Sequence, residues 1–196
     1  MTDDELGERV LEHLGQRHRY EHCCRVAQLA ATLARAHGLD PVKAHLAGML
    51  HDLARLYSSD RLLAETRKRK LPLGDFERCN PVVLHAPLGA ALAQETFGVT
   101  DAQVLSAIAK HTVADGRMSP LDCVVYLADG LEPGRNFPHR AELVALAERD
   151  LDAAMRATIA STLRYLKGQG IPVAPQTAEA ARTFGLSLSD LEAGTG

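Results

Sequence analysis

Nearly every segment of this chain repeats its apolar residues with the period of an α-helix. In one segment, for example, Val26, Leu29, Ala30 and Leu33 fall on a single stripe. The alternating β-branched pattern that is typical of a half-buried strand does not appear before the end of the chain. The sequence therefore predicts an all-α fold.

Capping residues mark where these helices should begin. A Ser, Thr or Asp side chain can accept a hydrogen bond from the first free backbone N–H groups, and a proline fits the first helical turn. The last long helix is predicted over about 151–167, with a short helix after Pro175. The other predicted starts are at Thr2, Asp40, Ser58, Thr100 and Ser119.

The length and composition favour one globular domain. The chain has 196 residues, close to the usual size of about 150 for a single domain, and 46% of them are hydrophobic. No internal repeat or Gly/Ser linker divides it. We expect a single domain over 1–172, followed by a short helix and tail over 173–196.

Charge and hydropathy exclude two classes of partner. The net charge of -3 provides no general basic field for a nucleic acid polymer. No segment approaches the roughly 18 apolar residues of a membrane helix, and the amino terminus is acidic. We therefore expect a cytoplasmic protein without membrane or nucleic acid partners. Reduced, mostly buried thiols are predicted for Cys23, Cys24, Cys79 and Cys123.

Ionisable residues interrupt the apolar helix stretches at six positions. A buried imidazole or carboxylate needs a partner, and both groups suit divalent iron, manganese, zinc or nickel. Six such groups exceed what one tetrahedral ion needs. The sequence therefore predicts a pair of ions, or one ion beside a polar pocket, at His22, His51, Asp52, His85, His111 and Asp129.

The His51–Asp52 doublet is predicted in the last turns of the third helix. Neighbouring residues lie about 100° apart around a helix, so both side chains can reach an ion over one helix edge. Asp52 has two carboxylate oxygens and is the natural bridge between two metals. If the site is hydrolytic, Asp52 would also orient the attacking hydroxide.

Three arginines are candidates for binding substrate phosphate. Arg25 is three residues after His22, and Arg55 is three residues after Asp52, so each shares a helix face with a predicted ligand. Arg135 lies in the EPGR loop that follows the last aspartate. A site acting on polyphosphate must neutralise several oxygens, which such cations can do.

The arrangement of His22, His51–Asp52 and Asp129 resembles the H…HD…D signature of the HD-domain phosphohydrolases. The likeness extends to whole segments of the YqeK type, whose members are associated with symmetrical hydrolysis of diadenosine tetraphosphate. These segments span about 19–138, more than half of the chain. They are RYEHCCRVAQLA, AGMLHDLAR, LHAPLGA, AIAKHT and DCVVYLADGLEPGRNFP.

The resemblance implies an HD-domain helical bundle that cuts diadenosine tetraphosphate into two ADP molecules. The expected cofactor is one or two divalent ions, with iron first and manganese, nickel or zinc as alternatives. His85 and His111 would complete a second metal site or hold phosphate. The primary metal ligands would be His22, His51, Asp52 and Asp129.

Other functions stay open at this point. Another HD nucleotidase or phosphodiesterase would share the same helical metal core. A di-iron oxygenase uses the same types of ligand, and a metal-stabilised module could bind a nucleotide without turnover. The sequence also leaves a homodimer open.

Overall fold

The computed structural model describes residues 2–187, and within that range the chain forms α-helices and one short 3-10 helix without any strand. The all-α prediction is confirmed. The helices are α1 (Asp3–Leu14), α2 (Arg17–Ala36), α3 (Pro41–Leu50), α4 (Ser59–Lys68), α5 (Asp75–Cys79), the 3-10 helix (Pro81–Leu84), α6 (His85–Phe97), α7 (Ala102–Lys110), α8 (Pro120–Leu131), α9 (Arg140–Arg149), α10 (Leu151–Gly168) and α11 (Pro175–Thr183).

Four of the five predicted capping residues are found at the start of a helix. The Thr2 hydroxyl accepts a hydrogen bond from the Glu5 backbone N–H at 3.2 Å. Asp40, Ser58 and Ser119 accept similar bonds at the starts of α3, α4 and α8.

The predicted cap at Thr100 is wrong, and Asp101 caps α7 instead. One oxygen of the Asp101 carboxylate accepts hydrogen bonds from the backbone N–H groups of Gln103 and Val104, at 2.8 and 3.2 Å. The Asp101 carboxylate, one residue after Thr100, thus caps two free backbone N–H groups, and α7 begins at Ala102.

The HD doublet also differs from the prediction, because α3 ends at Leu50 and the doublet lies in the turns that follow. The His51 ring Nδ1 donates to the Gly48 carbonyl oxygen at 2.7 Å. Beyond it, the backbone N–H of Arg55 donates to the backbone carbonyl oxygen of Asp52. This bond spans three residues, whereas an α-helical bond spans four.

The chain between α8 and α10 forms α9, which the sequence analysis did not predict. Its apolar pattern is weak, since Ala147 is its single fully buried residue. The short helix predicted after Pro175 is α11, and its Ala180 and Ala181 are buried in the common core. Most of the predicted tail lies outside the described residues.

The core lies between α2, α3, α7 and α8, which pack on one another. Gly48 lets α3 approach α2 backbone to backbone, since a Cβ added there would lie 2.6 Å from the Ala27 Cα atom. This contact fixes the turn after α3 relative to His22 on α2.

All four cysteines are free, with Cys23 and Cys123 buried, Cys24 half-buried and Cys79 exposed. Of the helices within residues 2–187, none is both long and apolar enough to cross a membrane.

Replacing Gly48 with Ala is expected to lower the free energy of unfolding by roughly 1–3 kcal/mol, because the new methyl group must push the two helices apart. Urea denaturation measures the change. Gly168→Ala is the matched control, since no heavy atom lies within 4 Å of a Cβ added at this end of α10. Equal stability of the two variants would contradict the close contact.

Candidate metal centre

Five helical segments bring the six predicted residues into one buried cluster. His22 comes from α2, His85 begins α6, and Asp129 is near the end of α8. His51 and His111 are the C-cap residues of α3 and α7. All four histidines and Asp52 are at most 6% exposed.

The imidazole Nε2 atoms converge on two carboxylates. His22 Nε2 lies 3.2 Å from Asp129 Oδ1 and 3.7 Å from Asp52 Oδ2. His51 Nε2 is 3.5 Å from the same oxygen of Asp52. The other Asp52 oxygen is 3.4 Å from His85 Nε2 and 3.8 Å from His111 Nε2. Asp52 therefore connects the two halves of the cluster.

Two overlapping groups in this cluster could each hold a metal ion. One consists of His22, His51 and Asp129, and the other of His51, Asp52 and His111. In each group the ligand atoms all lie within 4.8 Å of one another. The pattern matches the sequence prediction of a site with room for one ion or two.

The ring orientations leave nitrogen lone pairs directed into the cluster. The Nδ1 atoms of His51, His85 and His111 each contact a backbone carbonyl oxygen three residues earlier, at 2.5 to 2.7 Å. A carbonyl can only accept, so each Nδ1 carries the proton and each neutral ring has its lone pair on Nε2. This is the form of histidine that binds metal.

Unpaired buried atoms show that the cluster fits a cation. The Nε2 atoms of His22 and His51 are buried and have no hydrogen-bond partner within residues 2–187. His85 Nε2 and His111 Nε2 face each other at 3.0 Å, and the Thr112 hydroxyl lies 3.0 Å from both. One hydroxyl proton cannot serve two lone pairs, whereas a metal ion can bind several.

Burial and mutual charge set the protonation of the cluster. Burial lowers the pKa of His85 to about 4, assisted by His111, and burial also lowers the pKa of His111. For Asp52 and Asp129, burial alone would raise the pKa. For Asp52 the electrostatic interactions with His51, His111 and His85 outweigh burial, and for Asp129 those with His22 and His51 do, so both pKa values are lowered. Neutral imidazoles beside ionised carboxylates are the ligand set that a divalent cation requires.

Comparison with known proteins identifies the family. The sequence model described as the HD domain matches residues 19–134. The chain belongs to the HD domain family. A relative from Bacillus subtilis (strain 168), named symmetrical bis(5'-nucleosyl)-tetraphosphatase, is 38% identical over 82% of this chain and 86% of its own length. The protein of the same name from Halalkalibacterium halodurans is 35% identical over 86% of this chain and 89% of its own.

A solved structure shares the fold of this HD protein. It is the crystal structure of a predicted HD superfamily hydrolase involved in NAD metabolism, from Clostridium acetobutylicum. The two chains are 31% identical and superpose with a TM-score of 0.89, over 94% of this chain and 97% of the other. The predicted HD-domain helical bundle is confirmed. Family and cluster together indicate a divalent metal.

Of the three predicted phosphate-binding arginines, two are paired with carboxylates and one is not. Arg25 Nε donates to Glu132 at 2.6 Å, and Arg135 Nη2 donates to Asp129 at 2.6 Å. The Arg55 guanidinium is half-buried, makes no hydrogen bond or ion pair with the described residues, and helps to lower the His85 pKa. Their role toward phosphate stays a prediction.

Two residues of the HD site were missed by the sequence analysis. Arg19 Nη1 donates to Asp52 Oδ2 at 2.8 Å, and Glu132 Oε1 lies 3.2 Å from His22 Nδ1. The sequence spacing could have indicated both residues, because Arg19 is one helical turn before His22 and Glu132 is three residues after Asp129. Spacing alone did not show which of these side chains turn inward.

Glu132 holds His22 in the same orientation that backbone carbonyls give the other three histidines. Its side chain is buried, and its other oxygen accepts from Arg25 Nε and from the Gly134 backbone N–H at 2.5 Å. These bonds, with that to His22, offset the effect of burial and lower the pKa of Glu132. An ionised Glu132 accepts a hydrogen bond from the His22 Nδ1–H group and leaves the Nε2 lone pair for a metal.

Glu132→Ala is expected to weaken Mn²⁺ binding by about 10- to 100-fold, because His22 would lose the carboxylate that orients its ring. Glu132→Gln, which keeps an acceptor oxygen, should recover part of the loss. Calorimetric titration of the metal-free protein measures the affinity. The exposed carboxylate variant Glu142→Ala is the control, and Mn²⁺ affinity unchanged in Glu132→Ala would refute this role.

The metal-free protein is expected to lose stability as pH falls from 6.5 toward 4. In this window an unfolded His85, with an ordinary pKa of 6.5, binds a proton that the folded residue, with a pKa of about 4, does not. Stability therefore falls by up to roughly 1.4 kcal/mol per pH unit from this group.

Urea denaturation at several pH values tests this dependence. His85→Gln should have a shallower slope than the parent protein. The exposed-histidine variant His139→Gln should keep the parent slope, since its side chain is 73% exposed. Parallel slopes for all three proteins would be inconsistent with a buried neutral His85.

Proposed function

We propose that this HD protein hydrolyses diadenosine tetraphosphate symmetrically, giving two molecules of ADP. The observation that carries the proposal is the convergence of four imidazoles and two carboxylates on one centre. The names of the relatives narrow the substrate to a bis(5'-nucleosyl) tetraphosphate. A cytoplasmic location would suit the four free cysteines.

Each ligand would have a defined part in holding the metal. Iron is our first candidate, ahead of manganese, nickel and zinc, in one or two ions. When bound, a divalent metal activates water and neutralises phosphate charge. His85 and His111 would hold a second ion or a phosphate oxygen. The primary ligands would be His22, His51, Asp52 and Asp129.

The position of Asp52 suits it to orient the attacking water. Its two oxygens face different halves of the cluster, and Arg19 holds one of them at 2.8 Å. A carboxylate fixed in this way can accept a hydrogen bond from water and direct its lone pair toward phosphorus. Water then adds its oxygen to the phosphorus and releases a proton to solvent, while the bridging oxygen departs with one ADP. The attacked phosphorus becomes the terminal phosphate of the second ADP.

Cations at both ends of the centre favour cleavage in the middle of a polyphosphate. Arg55 lies near His85 at one end, and Arg135 contacts Asp129 at the other. A chain of four phosphates could contact both arginines, with its central bridging oxygen over Asp52. The charge that develops on either departing ADP would then face a guanidinium.

Incubation with diadenosine tetraphosphate tests the proposal directly. The protein is loaded anaerobically with ferrous iron, and in parallel with Mn²⁺, Ni²⁺ or Zn²⁺, and the products are separated by ion-exchange chromatography. ADP should be the sole nucleotide product, formed fastest with iron. Asp52→Asn should lower kcat by at least about a hundredfold. Asp60→Asn, on the surface of α4, should not.

The other outcomes have distinct meanings. AMP together with ATP would mean asymmetrical cleavage and would contradict the assignment. Absence of turnover with metal bound would leave a binding module, and oxygen uptake would favour an oxygenase. Faster turnover with another metal would overturn iron and leave the reaction unaffected.

A further inference from the structure

A cavity of about 510 Å³ lies beside the end of α8, the helix that carries Asp129. Gly130, which lines it, directly follows Asp129 in α8. The other walls are the loop after α8, α9 and α10. The volume falls within the roughly 300–1,000 Å³ of ordinary small-molecule pockets. We call it the α10 groove.

One loop joins the α10 groove to the metal centre. Arg135 in this loop donates to the Asp129 backbone oxygen at 3.0 Å and to its carboxylate at 2.6 Å. Phe137, two residues later, lines the groove. Two residues of chain span at most about 7 Å, so the Cα atoms of Arg135 and Phe137 are no further apart than that.

The lining of the groove is uncharged among the residues that the structure describes. It combines two exposed aromatic rings, Phe137 at 37% and Tyr165 at 62%, with four hydroxyl groups, one of them on Tyr165. A larger cavity, near the start of α10, is instead lined by Arg117, Asp150, Asp152 and Arg156 among others. The α10 groove thus suits a neutral, flat ligand group with polar edges.

A hydroxyl stripe on α10 supports a ligand with hydrogen-bonding edges. Thr158, Ser161, Thr162 and Tyr165 follow one another at the spacing of a single helix face. Thr158 is 9% exposed, and its Oγ1 has no hydrogen-bond partner in the described part of the chain. A buried hydroxyl without a partner costs free energy, which a bound ligand could recover.

We infer that the α10 groove binds one nucleoside of the substrate, with its base against Tyr165 and Phe137 and a polar edge at Thr158. This inference rests on the proposed function, because the phosphate next to that nucleoside would lie at Arg135. Aromatic rings stack on bases of any kind, so the groove would add affinity with little base preference.

Calorimetric binding of two probes to the Mn²⁺-loaded protein tests this assignment. ADP contains the nucleoside, whereas pyrophosphate does not. Tyr165→Ala should weaken ADP binding by about tenfold, the usual effect of one lost stacking ring. Thr158→Val, which keeps the side-chain shape, should weaken it less. Neither variant should change pyrophosphate binding.

Ile171→Ala is the control, because Ile171 is an exposed apolar residue just beyond α10 that does not line the groove. ADP binding unchanged in both groove variants would overturn the inference. So would equal weakening of both probes, or an unaltered protein that binds ADP no more tightly than pyrophosphate. Selective loss of ADP binding without tetraphosphate hydrolysis would uphold the groove and refute the proposed function alone.

Discussion

The metal centre depends on hydrogen bonds that fix the histidine rings from behind. His51, His85 and His111 each end a helical segment, and each donates its Nδ1 proton to the carbonyl three residues earlier. Each bond orients its ring; at His85 the Val82 carbonyl oxygen also accepts the backbone N–H of His85. At His51 and His111, the C-cap residues of α3 and α7, the end of a helix and the orientation of a ligand thus coincide.

Charge balance is the second requirement of this buried centre. Two carboxylates with lowered pKa lie in a region of low dielectric, where isolated charges are costly. Arg19 compensates Asp52, and Arg135 compensates Asp129. Glu132 binds Arg25 at the edge of the site. The arginines nearest to the ligands thus have structural partners as well as a position suited to phosphate.

Local patterns in the sequence predicted most helices and the inward direction of the six clustered side chains. They could not predict long-range pairing, such as that of Arg25 with a carboxylate 107 residues away. A helical spacing shows which face a side chain occupies, whereas its partner depends on how distant helices meet. The turn at His51–Asp52 was missed for a related reason, because a ring-to-carbonyl bond ends α3 within an otherwise apolar helical pattern.

The loop after α8 is fixed at both ends, by the buried Glu132 and by the bond from Arg140 to the Leu131 carbonyl oxygen. Arg135 and Phe137 are therefore held at a set distance from Asp129. Under the proposed function, this segment would set the distance between the metal centre and the ligand group that the loop binds. Insertion of one residue here would lengthen that distance and leave the metal ligands in place, so related proteins could change their preferred ligand length through this loop alone.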